Sequence, residues 1–495
     1  MVGSNLLLGD LGESNATCRT LEKRAFARLL SEALRKAAKQ FEKNSAKLDQ
    51  SQFSSKSSAV KDEMAAASAL LSCDDDGDFS ASPLLDAYPE CRQGKSTAFG
   101  GFLNFFKQMF GAGVLALPHA FMYVGVVPGI LIYGLVCIFC VVSQCRLVSC
   151  LHEAENTHKN KTIGTYLELA SCVLGKRAGN CVGFLVVFLE LIFCTGWIIV
   201  AAQNIVDETG YDHRIVVLAI FPCVCVLCSI PKLASLWFLS AFGLITYVLG
   251  VFGIVFYYIG KRVAMQPLPL FPKTWSSFPD FVGVAVYGLE AILMVVPVAK
   301  SMRCKNQVRR VIGAGTALYG FIAVTFAAIA FIFGFGDCKT AGSSGSIVTN
   351  CLPEGTAVAA VRYCLALTMV TGYPVILFPV TATLECFILN EKLKAGQRLL
   401  PKQAAIRYGS VAATCCVAAY FQNFALFSSL AGGLLVAPAG YILPSIIHWK
   451  LITRRRESGE LDPSWRQRIS DIVLVGFGAI TCVMTTTTSV KALLG

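Results

Sequence analysis

Two acidic side chains lie inside long apolar stretches of this chain, Glu190 in residues 179–203 and Glu290 in residues 279–300. A carboxylate at membrane depth is costly and usually has a function, such as carrying a proton or holding a substrate ammonium group. The alternative for either residue is a buried, hydrogen-bonded neutral acid that braces its helix. We interpret Glu190 and Glu290 as candidate proton-coupling residues.

A small-residue motif interrupts the apolar stretch 98–123, where Gly111-Ala112-Gly113 is followed by Val114 and Pro118. Glycine and proline disfavour a continuous helix. An unwound backbone at membrane depth is tolerated only where it is buried in protein or lines a cavity. Free N–H groups from Gly111 to Val114, at the positive end of the following half-helix, would suit a substrate carboxylate. The alternative is close helix packing through small residues.

The stretch 281–302 repeats this interruption with Gly283, Gly288, Glu290 and Pro297. Two interrupted segments, five spans apart, are typical of transporters built from an inverted repeat with two broken helices. We expect carbonyl groups near Tyr287 and Gly288 to meet the substrate ammonium group.

Trp197 and Tyr287 are the aromatic candidates for shaping the same pocket. Aromatic side chains in membrane helices also serve simply to pack neighbouring helices, and this alternative stays open for both.

The composition requires a membrane protein, because 55% of the residues are hydrophobic, only 15% are charged and the mean hydropathy is +0.60. Soluble proteins carry about 25% charged residues. The net charge of +12 lies in loops between apolar segments, as the positive-inside rule expects, and does not indicate nucleic-acid binding. Eleven apolar segments follow one another: 98–123, 126–149, 179–203, 215–230, 236–260, 279–300, 309–335, 356–389, 404–421, 426–449 and 470–494.

These segments predict an all-α polytopic membrane protein with about eleven transmembrane helices. Residues 98–260 and 279–449 form a 5+5 inverted repeat with broken helices 1 and 6, and residues 470–494 add a peripheral helix. Residues 1–97 are polar and lack a pattern that could build a core, which predicts a largely disordered tail before the transporter domain 98–495. The distribution of Lys and Arg places the N-terminus in the cytoplasm.

Most of the 21 cysteines lie in apolar stretches and act there as small hydrophobic residues. Cys338 and Cys351 differ, because they share the polar loop 336–355, which is predicted to lie outside, where disulfides form. We predict a disulfide between them. No metal-ligand spacing, nucleophile elbow or phosphate-binding loop occurs, so we expect no metal, no cofactor and no enzyme activity.

The motifs resemble those of the amino acid/auxin permease family, within the amino acid–polyamine–organocation superfamily. The first helix matches its pattern as Lys107-x-x-x-Gly111-x-Gly113-x-Leu115-x-Leu117-Pro118-x-Ala120-Phe121. Segment six matches with Leu289-Glu290-Ala291-Ile292, Pro297 and Met302. Phe193-Cys194-x-x-Trp197 is similar to segment three of the proton-coupled amino acid transporters.

Three positions depart from the family pattern. Met109 stands where the family often has Asn, Ala291 replaces a glycine, and Glu190 stands where relatives often have Gln. The missing Asn weakens an inference of sodium coupling, and the extra acid at Glu190 favours the proton. The resemblance implies symport of amino acids with H⁺ or Na⁺.

We therefore predict a secondary active amino acid transporter, proton-coupled, in contact with a small-molecule amino acid and with membrane lipid. The alternatives are sodium coupling, an amino acid sensor of the same fold with the tail as its signalling arm, and a channel or scaffold. The expected location is the plasma membrane, with a vacuolar or lysosomal membrane as the alternative.

Overall fold

The computed structural model describes residues 96–157, 163–230, 237–261, 270–271, 276–333, 346–352, 354–389, 401–457 and 465–494. The predicted tail, up to residue 95, lies outside them. Regular structure in the described part of the chain is helical, apart from one β-bridge between Ser96 and Met302. The helices are α1 (Ala98–Met109), α2 (Gly113–Val124), α3 (Val126–Thr157), α4 (Tyr166–Leu174), α5 (Lys176–Thr209), α6 (His213–Cys228), α7 (Trp237–Lys261), α8 (Phe278–Gly288), α9 (Ile292–Ser301), α10 (Val308–Phe333), α11 (Thr356–Leu389), α12 (Pro401–Tyr420), α13 (Phe424–Ala431), α14 (Leu443–Glu457) and α15 (Trp465–Leu494).

Each of the eleven predicted apolar segments contains a helix or a pair of half-helices. Among the described residues, seven helical stretches are long and apolar enough to cross a membrane, and three shorter helices are also apolar. The all-α polytopic fold is therefore confirmed. The sequence did not predict α4, a short helix between the second and third segments.

The first segment is broken where the glycines predict. Helix α1 begins after Thr97, whose side chain accepts a hydrogen bond from the Gly100 N–H. It ends before Phe110, whose backbone is extended, and α2 starts at Gly113. Pro118 lies inside α2 and does not end it. The break therefore covers residues 110–112.

The sixth segment is broken just after Gly288. Helix α8 ends at that glycine, and α9 starts at Ile292. Gly283 lies inside α8 and serves packing instead, because an added Cβ there would come 2.6 Å from the Ser429 carbonyl oxygen. Pro297 lies inside α9.

The tenth segment contains two π-helical turns, 432–436 and 438–442, between α13 and α14. A π turn shifts the hydrogen-bond ladder and often marks a functional position. Two carbonyl groups in the second turn accept bonds from other helices. Ser143 Oγ donates to the Gly440 carbonyl, and Tyr166 Oη donates to the Ala439 carbonyl over 2.9 Å. These contacts hold the turn against α3 and α4.

Helix α15 lies at the edge of the bundle, because only 28% of its most apolar 18-residue stretch is buried. Two carboxylates attach it near its two ends. Asp280 of α8 accepts hydrogen bonds from Thr488 Oγ1 at 3.1 Å and Ser489 Oγ at 3.2 Å. Near the other end, Asp471 forms an ion pair with Arg146 of α3 at 3.3 Å. The predicted peripheral helix is thus fixed to α8 and to α3.

Candidate functional site

The two helix breaks lie against each other. A Cβ atom added to Gly113 would come 2.7 Å from Gly288 Cα and 3.4 Å from Tyr287 Cδ1. Real Cβ atoms are essentially never found at 2.7 Å, so only a glycine at position 113 allows this approach. The first residue of α2 and the last residue of α8 therefore meet backbone to backbone.

A cavity of about 60 Å³ lies at this meeting point. Eight of the nine predicted substrate and coupling residues line it: Gly111, Ala112, Gly113, Glu190, Trp197, Tyr287, Gly288 and Glu290. The ninth, Val114, is buried but does not line the cavity. A water molecule needs roughly 10–15 Å³ of such space, so the cavity suits a small polar ligand.

The two half-helices that begin at the cavity differ at their N-termini. Helix α2 starts after Ala112 without a side-chain cap. At the start of α9, Glu290 Oε2 accepts a hydrogen bond from the Ile292 N–H at 2.8 Å. The protein's own carboxylate thus occupies the positive end of α9, whereas no side-chain cap occupies the start of α2.

The second carboxylate oxygen of Glu290, Oε1, is buried and has no hydrogen-bond partner among the residues that the structure describes. Glu190 lies on α5, is 9% exposed and lines the same cavity. A buried polar atom without a partner is costly and needs an explanation. A bound proton or a substrate ammonium group at Glu290 would each supply one.

Aromatic side chains form one wall of the cavity. The ring of Tyr287 packs against Phe193, with 4.8 Å between centroids, and edge-on against Phe424 at 5.9 Å. Its hydroxyl group is buried, and none of the described residues forms a hydrogen bond with it. A Cβ added to Gly196 would come 2.5 Å from that hydroxyl oxygen, so the helix α5 backbone lies close beside it.

A second cavity of about 70 Å³ adjoins the first, and both cavities are lined by Gln108, Trp197 and Ile376. The indole ring of Trp197 lies close to two glycines. A Cβ added to Gly111 would be 3.5 Å from Trp197 Nε1, and one added to Gly372 would collide with the six-membered ring. The two small residues therefore fix the position of the indole.

Sequence reasoning missed several residues at the site. Those that line the first cavity without having been predicted as site residues are Gln108, Met109, Phe193, Ala291, Leu293, Met294 and Ile376. Tyr247 of α7 was also missed, and its hydroxyl donates to the Gly111 carbonyl at 3.2 Å. Gln108 carried a signal, since it is a polar residue beside the motif within an apolar stretch. The others are apolar or aromatic and look like ordinary helix packing in the sequence.

A buried arginine network joins the last turn of α5 to α11. Arg362, only 3% exposed, pairs with Glu208 at 2.5 Å and donates to the carbonyls of Thr349 and Leu352 at 3.0 and 2.7 Å. Cys351 lies in the same short loop and is disulfide-bonded. Cys338 lies outside the described residues, so the Cys338–Cys351 pairing stays a prediction.

Residues 94–491 match the family model described as transmembrane amino acid transporter protein. The chain belongs to this family. One relative of similar sequence is amino acid transporter AVT3C of Arabidopsis thaliana, which is 26% identical over 83% of this chain and 93% of the relative. The proton-coupled amino acid transporter-like protein pathetic of Drosophila melanogaster is 25% identical over 76% and 81%. Vacuolar amino acid transporter 3 of Schizosaccharomyces pombe is 22% identical over 77% and 56%.

Solved structures support the same fold at low sequence identity. The inward-facing conformation of Mhp1 superimposes with a TM-score of 0.53 at 11% identity, covering 81% of this chain and 92% of that one. A manganese transporter of Eremococcus coleocola gives a TM-score of 0.50 at 12% identity, covering 81% and 88%. This family member is thus an integral membrane transporter, as its named relatives are, and not an enzyme.

Proposed function

We propose that this transporter carries amino acids by symport with protons and binds them in the cavity between the two helix breaks. One observation carries the proposal: a single cavity is bounded by the uncapped start of α2 and by Glu290, whose Oε1 has no hydrogen-bond partner in the described part of the chain. An amino acid carries a carboxylate and an ammonium group on one carbon atom, so its binding site must hold an anion and a cation close together. The start of α2 supplies the first through N–H groups and the helix dipole, and the carboxyl end of α8 with Glu290 supplies the second.

The proton is the coupling ion that the site favours. Two carboxyl side chains, Glu190 and Glu290, line the cavity. A carboxyl group at membrane depth can bind and release a proton during transport. The Drosophila relative is named a proton-coupled amino acid transporter-like protein, which agrees with this choice. Sodium coupling is the alternative, and the resemblance to the wider family supports it.

Reconstituted vesicles test the coupling ion directly. Uptake of labelled amino acids into proteoliposomes is measured with an inward proton gradient and, separately, with an inward sodium gradient at constant pH. We expect the proton gradient alone to drive accumulation. Accumulation driven only by sodium would contradict proton coupling while leaving amino acid transport intact.

The substitution Glu290→Gln separates the two roles of this carboxyl group. As a proton carrier, Glu290 is required for pH-driven accumulation but not for exchange of substrate, so the variant should lose the first and keep the second. Glu354→Gln is the control, because Glu354 is an exposed acid that does not line the cavity. If Glu290→Gln keeps its pH dependence, Glu290 only braces the start of α9.

A sensor of the same fold is the second candidate function, and measured flux distinguishes it. Saturable uptake that concentrates substrate against its gradient would exclude both a sensor and a channel.

For the location we propose a vacuolar-type membrane over the plasma membrane, because the Schizosaccharomyces relative is named a vacuolar transporter. Imaging of a tagged full-length protein with markers of both membranes tests this choice.

A further inference from the structure

A groove of about 710 Å³ runs between α14 and α15 on the outside of the helix bundle, away from the substrate cavity. It is lined on α14 by Ser445, Ile446, Trp449, Lys450 and Thr453 and on α15 by Asp471, Ile472 and Val475. The α14 residues follow helical spacing and so share one face. The volume is within the range of sites that hold molecules far larger than water.

The groove is apolar along most of its length and open to the membrane. Ile446 is 45% exposed, Trp449 is 46% exposed and Ile472 is 58% exposed. The two helices belong to stretches that are long and apolar enough to span a bilayer, Phe424–Thr453 and Trp465–Leu494. Its walls therefore fit an acyl chain.

One end of the groove is polar and basic. Lys450 lines it, near the end of the apolar stretch. From position 450 to position 468 the sequence contains six basic residues and three acidic ones. Clusters of Lys and Arg next to a transmembrane helix attract anionic lipid headgroups. Trp465 is the first residue of α15 at the same end, and tryptophan is enriched at the membrane–water interface.

We infer that this groove binds one phospholipid with an anionic headgroup. Its acyl chain lies along Ile446, Trp449 and Ile472, and its headgroup lies at Lys450. The carboxylate at the floor, Asp471, does not repel the lipid as a free charge would, because Arg146 and His448 both contact it. The lipid thus covers the seam between α14 and α15 beside the pair that attaches α15 to α3.

Native mass spectrometry of the full-length protein in detergent tests the inference. Delipidated protein is titrated with phosphatidylserine and with phosphatidylcholine of identical acyl chains. We expect one tight site that prefers phosphatidylserine. Lys450→Gln should weaken phosphatidylserine binding about five-fold, since a basic residue near an anionic lipid surface contributes about 1 kcal/mol. Lys402→Gln, at an exposed lysine on α12, should bind like the wild type.

A second pair of variants tests the acyl-chain part of the groove. Ile472→Trp places a larger side chain in the path of the acyl chain and should weaken the tight site for both lipids. Val473→Trp is its control, because the neighbouring side chain is also exposed but does not line the groove. Unchanged binding by Ile472→Trp, or equal binding of the two lipids, would overturn the inference. So would a dimer that persists when lipid is added, since a second copy of the chain would then be the occupant.

Discussion

The contact between Gly113 and Gly288 predicts a large effect of a single methyl group. In Gly113→Ala the new Cβ would lie 2.7 Å from Gly288 Cα, whereas ordinary contacts begin at 3.4 Å. The two backbones must therefore separate by about 0.7 Å, with little room to yield because both contact groups belong to the backbone or to the buried Tyr287 ring. Overpacking of this kind costs roughly 1–3 kcal/mol.

The overpacking acts on substrate binding, because both glycines line the substrate cavity. If the separated breaks no longer hold the substrate, the ratio of maximal uptake rate to half-saturation concentration should fall about 5- to 150-fold, since 1.4 kcal/mol corresponds to a factor of ten. The assay is concentration-dependent uptake into cells, normalised to the amount of protein in the membrane. Protein abundance should fall much less than uptake.

Two glycine variants control for the methyl group itself. In Gly111→Ala the new Cβ would lie 3.5 Å from the nearest Trp197 atom, an ordinary contact, so the effect should be smaller than that of Gly113→Ala. In Gly134→Ala, on α3, the Cβ would meet nothing within 4 Å, and uptake should be unchanged. Uptake by Gly113→Ala at the level of Gly134→Ala would refute the reasoning and return the motif to simple helix packing.

Three further predictions concern residues around the site. Trp197→Ala removes a large side chain that lines both cavities and so enlarges the site; competition assays across a panel of amino acids should therefore show a shift toward larger side chains, and an unchanged order would contradict it. Arg362→Gln removes the ion pair with the half-buried Glu208 and the bonds to the Thr349 and Leu352 carbonyls, and should lower the free energy of unfolding by about 3 kcal/mol, seen as a lower melting temperature than that of the exposed control Arg214→Gln. Peptide mapping without reduction should recover Cys351 linked to Cys338, and a different partner for Cys351 would disprove the pairing.

Local signals in the sequence were enough to predict where the helices break. Gly111 lies in the first break, and Gly113 and Gly288 are terminal residues of half-helices, as expected because glycine is a poor helix former. Pro118 and Pro297 were weaker guides, since both lie inside short half-helices. The sequence also indicates where α4 begins, because Thr165 and Glu168 have the spacing of a capping box.

Contacts between distant parts of the chain could not be predicted in this way. Gly372 looks like any small residue in a membrane helix, and its role appears only when Trp197 packs on it. The second π turn of segment ten accepts hydrogen bonds from Ser143 and Tyr166, two residues that belong to no recognisable sequence motif. Glu290 was recognised as a special residue, but its hydrogen bond to the start of α9 required the structure.

The attachment of α15 to Arg146 also has a consequence for how the protein is made. Arg146 lies in α3, whereas Gln467, whose carbonyl accepts a bond from it, lies 321 residues later in the chain. During synthesis the arginine enters the membrane long before Asp471 exists to neutralise it, and an unpaired charge there is costly. Helix α15, which emerges much later than α3, therefore completes the ion pair of Arg146. A chain that stops before α15 would keep the Arg146 charge unpaired, and this unpaired charge distinguishes the incomplete molecule from the folded protein.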